Sequence, residues 1–126
     1  MTENQIAKEV FESALKVHKV IGPGLLESAY QASLVHLLKK KGLYIESQYP
    51  LSLVFEEVEL DQVYRVDIMV EGKFIIEIKS IDAIHEIHIA QIITYLKLAK
   101  CKLGMLINFN VPLLKQGVKR VINGYL

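Results

Sequence analysis

Apolar residues open the chain at helical spacing, with Ile6, Val10, Ala14, Val17 and Ile21 on one face. Thr2 followed three residues later by Gln5 has the form of a capping box, so the pattern predicts a first helix reaching to about residue 20. The stretch "IGPG" ends it, because proline removes a backbone donor and glycine admits left-handed turns. A second stripe, Leu26, Ala29, Tyr30, Leu34 and Leu37, predicts a helix over about 26–41, with Gly42 as its stop. At Tyr44 the period drops to two. "YIESQYPLSLVF" reads as a strand that Pro50 either bends or confines to an edge, and "QVYRVDIMV" and "KFIIEIKS" read as two more, joined as a hairpin at Glu71-Gly72. A third helix is expected over about 84–98, capped by Asp82. "LGMLINF" has the nearly all-apolar composition of a central strand, and residues 115–123 are expected to form a closing helix. Without the first and last helices, the order is helix, three strands, helix, strand. That order predicts a mixed α/β fold with an αβββαβ core, in which helices flank a mixed four-stranded sheet and the last strand, reached by a helical crossover, runs parallel to the one before it.

Charges interrupt the hairpin where a buried strand would carry apolar side chains. In "FIIEIKS", Glu77 and Lys79 share one face with Ile75, and Asp67 interrupts the preceding strand in the same way. Loop parity decides whether the two carboxylates meet. A three-residue loop of Glu71, Gly72 and Lys73 pairs Val70 with Phe74, sets Asp67 opposite Glu77 and sets Arg65 opposite Lys79; a two-residue loop puts the carboxylates on opposite faces. Glutamate at the first loop position favours the longer loop, because the shorter type demands a positive φ there. Opposed carboxylates repel unless a cation lies between them, and oxygen ligands select a hard ion such as Mg²⁺ or Mn²⁺, which also takes phosphate oxygens. Lys79, one pleat from Glu77, would stand beside ion and phosphate. Phosphodiester hydrolysis needs that combination of an activated water and positive charge at the phosphorus. The competing account is an ion-pair patch, Glu77 with Lys79 and Asp67 with Arg65, contributing little energy.

Composition narrows the setting. A chain of 126 residues, 52% hydrophobic and 23% charged, is expected to form one domain over 1–126 around one core. A net charge of +1 gives no bulk positive field, so any basic surface is local. The runs Lys39 to Lys41, Lys97 with Lys100 and Lys102, and Lys115 with Lys119 and Arg120 each read as solvated helix ends or loops. Cys101 is the sole cysteine, which excludes an internal disulfide, suits a reducing compartment and suggests a small core residue. "MTENQIAKEV" lacks the apolar stretch of a secretion signal, and no apolar run approaches the ~18 residues of a membrane span, so a cytoplasmic protein without a membrane partner is expected.

These residues resemble a known pattern. Asp67, Glu77 and Lys79 spaced D-x(9)-E-x-K across a hairpin are similar to the PD-(D/E)XK nuclease superfamily, and "GLLESAY" resembles the signature of the GxxExxY family grouped with it. "YRVDIMV", "IIEIKS", "HIAQIITYLKL" and "LGMLINFN" follow in the family's order, so the resemblance covers nearly the whole chain. It implies a restriction-endonuclease-like fold with a RecB-like or phage-exonuclease-like core. It also implies Asp67 and Glu77 as metal ligands, Lys79 as the catalytic lysine, Glu27 as a further acidic residue at the metal, and a contribution from the Ile78 carbonyl. In related members a glutamine and a tyrosine four residues apart border the site; here they are Gln91 and Tyr95, which helical spacing puts on one face. Val66 stands where the superfamily name has proline, while the acidic and lysine set is complete.

Other conspicuous residues have ordinary readings. Glu27 suits the helix dipole in a first turn, so its assignment rests on the motif. Tyr30 is expected to pack, with its hydroxyl reaching toward the site. "HEIH", His85 to His88, lacks the H-E-x-x-H spacing of a zinc site, and His88 is expected to be structural or to lie at the site's edge. Gly22 and Gly24 do not make a nucleotide-binding loop. The sequence therefore points to a Mg²⁺- or Mn²⁺-dependent nuclease acting on nucleic acid, DNA before RNA. The alternatives are a catalytically silent module of the same fold binding nucleic acid or a protein, and a purely structural interaction domain. With so little net charge, a second copy or a protein partner could complete the groove.

Overall fold

The computed structural model describes residues 1–126 apart from the side chains of residues 61–63, so the side chains of Gln62 and Val63, which open the expected second strand, lie outside the described residues. The N-terminal helix α1 (Glu3–Ile21) begins at the expected capping box, with the Gln5 N–H donating to Thr2 and the Thr2 N–H to Gln5. Gly22 ends it at φ 77°, a conformation open to glycine without strain. The second helix, α2 (Glu27–Lys40), buries Tyr30, Leu34 and Leu38. Its inward face runs through Leu38, with Leu37 only partly buried, and Leu26 precedes the helix as an exposed cap rather than packing in the stripe.

Strands β1 (Ile45–Phe55), β2 (Val58–Val70) and β3 (Phe74–Lys79) run antiparallel in sequence. Helix α3 (Glu86–Ala99) crosses to β4 (Leu103–Asn108), which lies parallel to β3 as the crossover requires. The end of the chain differs from expectation. The predicted closing helix is a short 3-10 turn, Leu114–Gly117, followed by a strand β5 (Val118–Ile122) antiparallel to β4. The sheet is thus five-stranded in the order β1-β2-β3-β4-β5, rather than four-stranded with a C-terminal helix. Period two explains the change: Val118 packs with one core layer and Val121 with the other, an alternation that pairs with the free edge of β4.

Both faces of the sheet are covered. Helices α1 and α2 pack on Ile68, Val70, Phe74, Ile76 and Ile78, while α3 packs on Met69, Ile75 and Leu106. Cys101 is buried in the second layer beside Met69, as a core residue. β1 is an edge strand, which accommodates Pro50. The β1–β2 ribbon is longer than the sheet it joins. β2 pairs with β1 from Phe55↔Val58 to Ile45↔Val70, yet with β3 only from Ile68↔Ile76 to Val70↔Phe74. Beyond Ile68 the two strands part.

Candidate active site

That parting builds the site. Val70 pairs with Phe74, so the loop has the three residues that parity required, and the same register carries Asp67 to the level of Glu77. The stated reason for the loop does not hold, since Glu71 does adopt a positive φ of 54°. Its strain is held by tertiary bonds: the Glu71 N–H donates to the Tyr44 carbonyl, and the Glu71 carboxylate accepts from the Tyr44 N–H, each at 2.8 Å. Where β2 leaves β3, the Asp67 side chain takes the place of the missing ladder bond, Oδ2 accepting from the Ile78 N–H at 2.7 Å. In a strand, N–H and C=O of one residue leave on the same edge, so the Ile78 carbonyl is also turned to Asp67's side; the next carbonyl, Lys79, goes the other way to the Phe109 N–H.

Glu77 is 5% exposed and its Oε1 has no hydrogen-bond partner. Burial pushes its carboxyl up to about 9; Asp67 adds to the shift through a hydrogen bond and its charge, and Lys79 opposes it. Among the described residues every ion pair is made by Lys41, with Glu9 at 2.8 Å and Glu12 at 3.9 Å. Neither limb of the ion-pair patch forms: among the described residues Lys79 has no carboxylate within 4 Å, and Arg65 donates to the Gln48 carbonyl rather than to Asp67. A buried carboxyl with a vacant oxygen, facing a second carboxylate, fits a hard divalent cation. No group of three His, Cys, Asp or Glu side chains converges among the described residues.

Glu27 shows why. As the first residue of α2 its carboxylate accepts from the Ser80 N–H at 3.1 Å, one residue beyond Lys79, and the Ser80 hydroxyl donates to the Leu25 carbonyl at 2.6 Å. The helix start is thereby tied to the end of β3. Tyr30 completes the junction, but its hydroxyl is not aimed at the carboxylates. It donates to the Gly22 carbonyl at 2.7 Å and accepts from the Leu25 N–H at 3.1 Å, while its ring stacks on Phe109 at 4.4 Å. The glutamate and tyrosine of "GLLESAY" thus fix the turn into α2, and its glycine, Gly24, adopts φ 97° within that turn.

On the other face, Gln91 and Tyr95 stand together on α3 along a cleft beside the site. Burial, then the charges of Glu77 and Asp67, push the Tyr95 hydroxyl above its ordinary value, so Tyr95 lies within electrostatic reach of both carboxylates. Helix α3 is capped by His85 rather than Asp82, and the His85 N–H donates to Nδ1 of His88 at 3.0 Å. His88 is therefore occupied locally.

Three residues at the site escaped the sequence reading. Gln31 donates to the Asp67 carbonyl at 3.2 Å and accepts at 3.0 Å from Gln48, which also reaches Asp67 Oδ1 at 3.4 Å. Gln31 lies one turn after Glu27, a spacing that would have suggested it. Asn108, 1% exposed, accepts from the Ile81 N–H at 3.1 Å and donates to the Ile81 carbonyl at 2.9 Å, pinning the segment after Lys79. A lone amide in an otherwise apolar strand was its signal.

A sheet end sets two carboxylates and a lysine where neighbouring strands part, with helices on both faces, in a mixed α/β fold of the restriction-endonuclease-like kind. The family model of the PD-(D/E)XK nuclease superfamily matches residues 4–121, and the chain belongs to that superfamily. Membership suggests a nuclease, implies a nucleic-acid substrate, and is typical of enzymes that use divalent metals. No curated protein matches the chain.

Proposed function

We propose that the protein is a Mg²⁺- or Mn²⁺-dependent nuclease that hydrolyses phosphodiester bonds in DNA, and that within the superfamily it belongs to the GxxExxY group. Gly24, Glu27 and Tyr30 support that grouping: Gly24 adopts φ 97° in the turn before α2, Glu27 accepts from the Ser80 N–H, and the Tyr30 hydroxyl bonds the Gly22 carbonyl and the Leu25 N–H on either side of that turn. The observation that carries the activity is the buried Glu77 carboxyl, held against Asp67 with one oxygen unpartnered. Such a group is costly to retain without a cation, and a cation there would draw on Asp67, Glu77 and the Ile78 carbonyl. When bound, the ion lowers the pKa of water and withdraws charge from the phosphate.

The chain's own residues do the rest. Lys79, with no carboxylate of the described residues within ion-pairing distance, is placed to position the attacking water and to offset charge developing on phosphorus. Tyr95 and Gln91 orient Lys79 or the substrate strand from α3. Glu27 holds Ser80, and with it the end of β3, and its carboxylate, if released from that bond, would be a further acidic ligand for the ion.

Incubation of the pure protein with linear DNA, circular DNA and RNA, with Mg²⁺ or Mn²⁺, tests this reading. DNA cleavage that is lost on chelation and in Lys79→Ala supports it; cleavage as fast in Lys79→Ala as in the parent would falsify the role of the lysine. A silent binding module is the second reading, favoured by the engagement of Glu27 with Ser80, which leaves two carboxylates rather than three at the pair. Retention of DNA on a gel with no product under any metal decides for it.

A further inference from the structure

Between the long ribbon and α3 lies a cleft of about 390 Å³, walled by Leu53 and Tyr64 on one side and by Ile87, Gln91, Thr94 and Tyr95 on the other. Its volume is within the ~300–1,000 Å³ of small-ligand sites, and its walls are mainly apolar. Tyr64 keeps 41% of its surface exposed and lies with its ring centroid 6.4 Å from that of Tyr95. Among the described residues no lysine or arginine lines the cleft, His88 at its edge is engaged through Nδ1 by the His85 N–H, and the turn of the ribbon beyond carries Glu56 and Glu57, so the surface offers phosphate little attraction. Its occupant is therefore planar and largely apolar, with a polar edge for the Gln91 amide and the Thr94 hydroxyl. Tyr95 packs in the same layer as Met69 and Ile75, which strand alternation sets on the sheet face that carries Asp67 and Glu77, so the cleft opens on the side of the sheet where the reacting phosphodiester would lie. The planar, edge-polar group that hangs from a phosphodiester is a nucleobase. A base within a duplex is stacked on both faces and cannot offer one to a tyrosine.

We infer that this cleft takes an unpaired nucleobase, stacked on the exposed face of Tyr64, next to the phosphate held at the carboxylate pair. The inference rests on the nuclease reading and deepens it: the substrate is single-stranded nucleic acid or a frayed end, and the ribbon is the wall that selects it.

Binding is measured by fluorescence anisotropy with Ca²⁺ in place of the catalytic ion, using a mixed-sequence single-stranded oligodeoxynucleotide, a blunt duplex and a fully abasic strand of the same length. The wild-type protein binds the single strand more tightly than either of the others. Tyr64→Ala weakens the single strand by roughly tenfold and leaves the abasic strand unchanged, while Tyr64→Phe, which keeps the ring, restores affinity. Equal affinity of the wild-type protein for base-bearing and abasic strands overturns the inference without recourse to any variant, as does unchanged single-strand binding in a folded Tyr64→Ala. Tyr64-dependent single-strand binding with no cleavage under Mg²⁺ or Mn²⁺ would sink the nuclease reading and leave the cleft assignment standing.

Discussion

Glu77 ties the chemistry of the site to its stability. In the metal-free protein its carboxyl keeps its proton to about 9, whereas in the unfolded chain it ionises near the ordinary glutamate value of 4.5. The folded state binds the extra proton between those limits, so this group's stabilisation is complete below 4.5 and is lost as pH rises through about 9. Glu77→Gln removes the titration. In chelator the variant is expected to melt higher than the parent at pH 8, by more than at pH 5, in paired thermal scans; parallel curves would remove Glu77 as the source. Lys79 carries no comparable structural duty, and Lys79→Ala is expected to cut cleavage by ~100-fold or more while leaving the melting temperature within a degree or two. Strand parity made Asp67, Glu77 and Lys79 legible, because alternation and loop length are local. Gln31 and Gln48 were not legible together: their meeting over Asp67 depends on how α2 lies across β1 and β2, which no local pattern encodes.

Among the elements, two junctions hold the end of β3 that carries Glu77 and Lys79. The first is the entry to α2, where the Tyr30 hydroxyl serves both Gly22 and Leu25. Tyr30→Phe keeps the stacking on Phe109 and deletes both bonds, with an expected loss of ~1–3 kcal/mol in denaturant titration and a fall in cleavage, since Glu27 and Ser80 depend on that turn. The second is Asn108, whose amide holds both backbone groups of Ile81. Asn108→Ala is expected to cost a similar ~1–3 kcal/mol, and hydrogen exchange should show loss of protection at Ile81 before any at β4. Helix boundaries were readable to within a residue or two because capping and apolar spacing agree with packing. The closing helix was misread because a five-residue segment holds too few turns to separate period two from 3.6; the open edge of β4 decides it, and that edge exists only in the folded sheet.

For the molecule as a whole, the sheet is enclosed by α1 and α2 on one face and α3 on the other, so the site lies at a rim rather than in an interior cavity. Members of each basic run are engaged elsewhere: Lys41 is paired with Glu9, Lys97, Lys100 and Lys102 gather at a separate cleft with Tyr125, and Arg120 donates to Asn4. Affinity for substrate should therefore depend on the ion at the carboxylate pair more than on surface charge, and Mn²⁺ is expected to raise the melting temperature saturably, in a shift reversed by chelator and absent in Asp67→Asn. Calorimetric titration of the same pair of proteins checks it: heat that does not saturate in the parent argues against a site.

The bond from Ile78 to Asp67 sets how an inert reference protein should be made. Asp67→Ala deletes a proposed ligand and also orphans a main-chain amide where β2 leaves β3, so an inactive variant of that kind would not tell lost chemistry from a loosened rim. An asparagine there still offers an oxygen to the amide, and Lys79→Ala leaves that bond untouched. Those two replacements separate what the rim does from what merely builds it.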